Sequence, residues 1–260
     1  MEGRPTLSDN RLSIQMRHRL GGVAFDVEFT LAAPWTVLFG PSGSGKTTIL
    51  RTIAGFVHPE EAQIVHPSTG CVLVDTQKKI FVPPHQRSVR SAAQNAWLFP
   101  HMSVRENLLY GLPSGAKSAA QNLTNEIISL FHLSALTDRK PIDLSGGERQ
   151  RVSVGRATLS AVAFAGPSRA LLLLDEPFNG LDTALRDELL TGLRYWLSRW
   201  QVPVLSVTHD VGEAFLLAAE VIKIADGRVV EQGSAISVLA KERQHLLDRL
   251  GTENNPIAPY

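Results

Sequence analysis

Over residues 12–31 apolar and polar side chains alternate, with Gly21-Gly22 near the middle. A period of two belongs to strands that bury one face, so this stretch predicts an antiparallel hairpin turning at the glycines. Thr36-Val37-Leu38-Phe39 then forms a short apolar strand that runs straight into Gly40-Pro41-Ser42-Gly43-Ser44-Gly45-Lys46-Thr47. Residues 47–55 read as a helix stopped by Gly55. Short strands and turns are predicted over residues 62–94, interrupted at Pro83-Pro84.

The middle of the chain changes to helical spacing. Residues 104–109, 122–131 and 146–163 each predict a helix. A continuous apolar run, Ala170-Leu171-Leu172-Leu173-Leu174, then stops abruptly at Asp175-Glu176. A strand apolar on both faces fits the centre of a parallel sheet covered by helices on either side. Residues 202–208 give a similar strand ending at His209-Asp210, and residues 221–225 another, closed by Asp226-Gly227. A helix is expected over residues 235–250, and the tail after it looks loosely structured. The pattern predicts an α/β nucleotide-type core with an N-terminal antiparallel β part and a helical insertion.

Composition narrows the classes. A chain of 260 residues with 43% hydrophobic side chains can bury a normal core. Its 26 basic and 25 acidic residues give a net charge of +1, no electrostatic reason to expect nucleic-acid or membrane binding. The lone Cys71 reads as a small apolar strand residue in a reducing compartment. No apolar run approaches the roughly 18–20 residues that span a bilayer, and the first residues lack the apolar core of a secretory signal. A membrane role is therefore expected only through a partner.

The chemistry sits at strand ends. Gly40 to Thr47, in a strand–loop–helix context, fits the phosphate-loop pattern completely. Its glycines let successive backbone N–H groups turn inward around phosphate oxygens at a helix N-terminus. Lys46 can bridge phosphates, the Thr47 hydroxyl can ligate Mg²⁺, and Thr48 continues the anion site. Asp175 and Glu176 follow a strand whose carboxyl end should face the same ligand. Adjacent positions point differently, so Asp175 can hold Mg²⁺ while Glu176 polarises water as a general base. His209 ends another strand on that edge and is a candidate for contacting the terminal phosphate and orienting Glu176.

Leu144-Ser145-Gly146-Gly147-Glu148-Arg149-Gln150-Arg151, with the phosphate loop and residues 171–176, closely resembles the signature of ABC-type ATPases. The resemblance covers essentially the whole chain. It implies a P-loop NTPase (RecA-like) core as a single ATPase domain over residues 1–260, with the signature on a helical subdomain at about residues 95–165. It further implies that Ser145, Gly146 and Gly147 close on ATP held by a second subunit, an identical copy in a head-to-tail dimer. Gln94 matches a glutamine that links Mg²⁺ and water to a transmembrane permease, making it both a metal ligand and a catalytic residue alongside Glu176, His209 and Lys46. Asn179-Gly180-Leu181-Asp182 matches the dimer-contacting loop, with Asp182 near the nucleotide.

Trp97, Leu98, Phe99 and Met102 lie in a segment resembling the one importer ATPases present to a permease, and their apolar character suits a short partner helix. The stretch over residues 72–89 looks most like molybdate importer ATPases. The resemblance thus implies ATP-driven uptake of molybdate or a related oxyanion through a permease served by a substrate-binding protein. It implies a cytoplasmic subunit, peripheral on the inner face of the cell membrane, with no nucleic-acid partner.

Several positions depart from that pattern. Many such ATPases continue into a small β-barrel regulatory domain, which is not expected in a chain ending at Tyr260. Asn179 stands where a small Ser or Ala is usual, and Ala93 precedes Gln94 in place of a bulkier residue. The aromatic residue that often stacks on adenine is replaced by Arg17-His18, where a stacked guanidinium and a solvated strand arginine are both open readings. Two rival functions also stand. A soluble ATPase of this type acting on nucleic acid or ribosomes lacks the expected coiled-coil arms or tandem domains, and a phosphate-loop kinase or GTPase leaves residues 144–151 unexplained.

Overall fold

The computed structural model describes residues 12–67, 69–112, 120–163, 170–217 and 220–252. The elements are β1 (Leu12–Leu20), β2 (Val23–Leu31), β3 (Trp35–Phe39), α1 (Lys46–Ala54), β4 (Glu61–His66), β5 (Cys71–Asp75), β6 (Ile80–Phe81) and β7 (Val89–Ala92). There follow α2 (Val104–Tyr110), α3 (Gln121–Leu130), α4 (Gly146–Ala163), β8 (Leu171–Asp175), α5 (Thr183–Ser198), β9 (Val204–Thr208) and α6 (Val211–Leu216). The last are β10 (Glu220–Ala225), β11 (Arg228–Ser234), α7 (Ala235–Val238) and α8 (Ala240–Thr252).

All the strands join one sheet in the order β6-β5-β4-β1-β2-β11-β10-β3-β9-β8-β7. The hairpin predicted at the start pairs Leu12 with Leu31 through to Leu20 with Val23, and β4 and β5 extend it antiparallel. The other half is parallel: β10 on β3, β3 on β9, β9 on β8, and β8 on β7. Parallel strands with one orientation bring the carboxyl ends of β3, β7, β8 and β9 to a single edge, the place where α/β sheets bind ligands.

The leucine run of β8 shows why that strand is central. Leu172 and Leu174 face the core shared with α2, α4 and α5, whereas Leu171 and Leu173 face the core beneath α1. Alternate side chains of a strand point to opposite faces, so only a fully apolar strand can serve both. Burying each leucine contributes roughly 1.5–3 kcal/mol. β3 divides in the same way, with Val37 and Phe39 on the first face and Leu38 on the second. Trp35 finds a partner for its indole N–H in Ser206 Oγ of β9, at 2.9 Å.

Among the described residues the chain between β7 and β8 contains helices and turns and no strand. Ser103 starts α2 with a capping box, its hydroxyl accepting from Glu106 N and its own N–H donating to the Glu106 carboxylate. Two expectations need adjustment, and one element is added. The single helix over residues 235–250 is two, because the chain leaves helical geometry at Leu239 between α7 and α8. Between Asp182 and Val202, where the motifs alone name no element, the chain forms α5, capped by Asp182. Cys71 is exposed at the first residue of β5. The expected loose tail lies outside the described residues from 253 onward.

Candidate functional site

The phosphate loop leaves β3 and enters α1 through two left-handed glycines, Gly43 at φ 81° and Gly45 at φ 99°. That region costs a side chain roughly 1–3 kcal/mol and costs glycine little. Lys46 is buried, and its ammonium donates to the carbonyls of Gly40 and Pro41, each at 2.8 Å, with Ser44 Oγ at 3.5 Å. Burial holds the Lys46 ammonium below its usual range, an effect opposed by the charges of Glu176 and Asp175. A phosphate beside it would restore the favourable environment of that charge.

Thr47 and Asp175 meet across the sheet edge. Thr47 Oγ1 donates to Asp175 Oδ1 at 3.2 Å. Asp175 is buried, and burial pushes its carboxyl up, opposed by the Thr47 hydrogen bond and reinforced by the Glu176 charge. A hydroxyl and a carboxylate held together are hard oxygen donors, and a buried acid beside a second acid is relieved by a cation. The donor set therefore fits Mg²⁺.

Glu176 lies one residue beyond β8 with φ 45°, unusual for a side chain other than glycine, and its N–H extends the ladder to Val207 O at 3.1 Å. Three groups converge on its carboxylate. Gln94 Nε2 donates to Oε2 at 2.9 Å, Asn179 Nδ2 donates to the same oxygen at 2.9 Å, and His209 Nδ1 lies 2.9 Å from Oε1. An ionised carboxylate only accepts, so Nδ1 carries the proton in that contact. Gln94 was expected at Mg²⁺ and water, and of the three only His209 was expected at this carboxylate. Asn179 was not, although the sequence marks it as a departure within the loop.

The signature residues are organised on α4. Ser145 N donates to Glu148 Oε2 at 2.7 Å and Glu148 N donates to Ser145 Oγ at 3.2 Å. The Ser145 backbone bond holds the Glu148 carboxyl below its usual range. With Oγ accepting from Glu148 N, the Ser145 hydroxyl proton stays available for an anion. A Cβ on Gly147 would lie 2.5 Å from Leu181 Cδ2, so the glycine lets the start of α4 approach the loop after β8. Asp182 caps α5, its Oδ1 accepting from Leu185 N at 2.9 Å. Ser145, Gly147 and Asp182 are thus arranged around α4, Leu181 and α5, beside the Glu176 loop, while Lys46, Thr47, Gln94, Asp175, Glu176 and His209 form the cluster at the strand ends.

A cleft of about 450 Å³ runs from Thr47 and Asp175 past Gln94 to Phe56 and Trp97. Trp97 is 75% exposed, whereas Leu98 packs against the core and Phe99 is half-buried, its ring 4.0 Å from that of Tyr110. Met102 is half-buried too, so the expected apolar patch reduces mainly to Trp97, and Phe56, not expected there, is exposed beside it. Asn107, fully buried, holds the turn beneath them by donating to the carbonyls of Phe99, Met102 and Ser103 and accepting from Phe99 N. Arg17 is engaged with Asp26 at 3.2 Å and Glu61 at 3.9 Å. That pairing favours the solvated strand arginine over the stacked one.

Among the described residues no helix is long and apolar enough to cross a membrane. The sequence profile of the ABC transporter family matches residues 25–179. The molybdenum import ATP-binding protein ModC of Mesorhizobium japonicum is 41% identical over 231 residues, 88% of this chain and 59% of the relative. The ModC proteins of Rhizobium johnstonii and Brucella suis are 40% and 39% identical, over 88% and 87% of this chain and 62% and 60% of theirs. The chain thus spans about three-fifths of the length of these relatives. A bacterial Atm1-family ABC exporter with ATP bound shares the fold, with a TM-score of 0.70 and 21% identity over 98% of this chain and 44% of the exporter. A phosphate loop, a strand-end acid pair and a glycine-started signature helix on one sheet edge agree with the profile match: the chain belongs to the ABC transporter family.

Proposed function

We propose that this chain is the ATP-hydrolysing subunit of an ABC importer, powering uptake through a separate membrane permease, with molybdate or a related oxyanion as the transported solute. The observation that carries the reading is the Glu176 carboxylate, oriented by Gln94 and His209 next to the Thr47–Asp175 pair and the phosphate loop. The transported solute rests on the resemblance to ModC proteins, since the residues of this site address phosphates.

ATP is the substrate. The loop amides over residues 40–48 and the Lys46 ammonium bind its phosphates, and Thr47, Asp175 and the carbonyl oxygen of Gln94 would hold Mg²⁺, which neutralises phosphate charge when bound. Glu176 accepts a proton from the attacking water while that oxygen bonds the γ-phosphorus. The bond to the bridging oxygen breaks, and ADP leaves with its electron pair. His209 fixes the carboxylate and is placed to meet the transferred phosphate. Ser145, Gly146 and Gly147, with Asp182 nearby, act on the nucleotide of a second, identical subunit in a head-to-tail dimer, so catalysis needs the closed pair.

The subunit sits on the cytoplasmic face of the membrane, held by a permease whose short helix enters the cleft beside Trp97 and Phe56, and a substrate-binding protein feeds that permease. The residues over about 95–165 move as a helical subdomain that carries the docking loop. The test is purification of the Glu176→Gln chain with ATP from solubilised membranes of its native host. Co-purification of a permease, with ATP retained and turnover lost, is the expected result. Recovery of soluble nucleoprotein alone, or normal turnover by the variant, overturns it.

A further inference from the structure

We propose that Asn179 is a positioning residue for ATP hydrolysis, which fixes the Glu176 carboxylate by occupying the same oxygen as Gln94. The inference rests on Glu176 as the general base and deepens that reading.

A carboxylate offers about four acceptor positions. In this chain Gln94 and Asn179 fill both positions on Oε2, and His209 fills one on Oε1. One position on Oε1 is left for the attacking water. With Ser or Ala at position 179, a position on Oε2 would stand open as well, water could be held on the wrong oxygen, and the terminal torsion of Glu176, broad and two-fold by nature, would lose a restraint. The Asn179 amide can make this contact because the loop is tight. Asn179 N also bonds Glu176 O at 3.2 Å, and Gly180 turns the chain with φ 84°. Glu176 itself is held at φ 45°, so its side chain leaves the strand end at an angle the loop must support.

Asn179 is exposed, so truncating it opens no core cavity. Its contribution to hydrolysis is thereby separable from folding. The loop that carries Asn179 also carries Leu181, which meets Gly147 at the start of the signature helix. The carboxylate at one nucleotide is thus tied, through a few residues, to the surface that this subunit offers to the other.

Two measurements test this on the full-length chain. In the chain labelled with ¹⁵N-asparagine, the Asn179 side-chain amide resonance, assigned by its loss in Asn179→Asp, should move in Glu176→Gln; an unchanged resonance means that the contact does not form. In the chain assembled with its membrane partner, Asn179→Ala should lower kcat about tenfold with the ATP KM within about twofold, the size expected for a lost bond to a charged acceptor. Asn179→Asp should be worse, because a carboxylate cannot donate to Glu176 and repels it at close range. A kcat within about twofold of wild type in Asn179→Ala or in Asn179→Asp, or an ATP KM that rises as much as kcat falls, overturns the proposal. Failure of the general-base reading looks different: Glu176→Gln itself then hydrolyses ATP normally.

Discussion

Phe25 closes on Gly45: a Cβ added to the glycine would lie 1.9 Å from Cε1 of the ring. The first residues of β2 thereby set the height of the phosphate loop, and the antiparallel half of the sheet supports that loop. Gly45→Ala adds this clash to the strain of φ 99°, a cost on the order of 2–4 kcal/mol. Affinity for ATP, followed by a fluorescent nucleotide analogue, should fall at least tenfold. Combining it with Phe25→Leu should recover only part of the loss, because the backbone strain remains.

Under the proposed function, the Thr47–Asp175 pair separates binding of the metal from binding of the phosphates. Thr47→Val removes one oxygen donor and leaves the loop amides and Lys46 intact. ATP affinity measured with Mg²⁺ should drop about tenfold, the scale of one lost bond to a charged acceptor, while affinity in excess chelator should hardly change. Because Asp175 would hold the same ion, Asp175→Asn added to Thr47→Val should cost less than the two changes summed. Equal losses with and without Mg²⁺ would place Thr47 outside the metal site.

What the residue pattern made legible and what it hid have separate physical causes. The phosphate loop, β8 and the acids after it could be read because glycine backbone freedom and two-sided burial leave marks in a single short stretch. The Asn179 contact left no such mark. It depends on Glu176 at positive φ, and the Gln94 amide that shares its oxygen arrives from beyond the end of β7, 82 residues away in sequence. The helix over 235–250 was misjudged at Leu239, where an apolar residue that suits a helix is also a good plug for the core beside α7. Leu98 reads as surface like its neighbours, and only its packing against the larger core shows it turning inward.

Two neighbouring residues at the proposed docking cleft differ in burial. Trp97 is largely exposed and Leu98 is packed, so the two should behave oppositely on gaining a charge. Trp97→Glu should leave thermal stability and ATP affinity near wild type and abolish co-purification with the permease and solute uptake. Leu98→Glu should lower stability first, by roughly 1–3 kcal/mol for placing a charge against the core, with every other loss following from it. Uptake unaffected by Trp97→Glu would remove the cleft from the permease interface.

Glu126 ties α3 to α5. Its carboxylate accepts from Trp196 Nε1 at 2.6 Å and pairs with Arg199, and nearby His132 Nε2 lies 3.1 Å from Glu188 Oε1. The Trp196 hydrogen bond, then that of Arg199, holds the Glu126 carboxyl below the usual range. The unfolded chain therefore protonates first as the pH falls. The contribution to stability is present above the ordinary carboxylate range and disappears as the pH drops through the lowered folded value. Because the group is half exposed, solvent screening limits this contribution to roughly 1 kcal/mol. In a chain of this size that corresponds to a melting temperature about 2–4 °C lower in Glu126→Ala at neutral pH. The gap between wild type and variant should narrow steadily below about pH 4. A gap that stays constant into acid would mean that the contact stabilises through packing of Trp196, with the carboxylate charge playing no part.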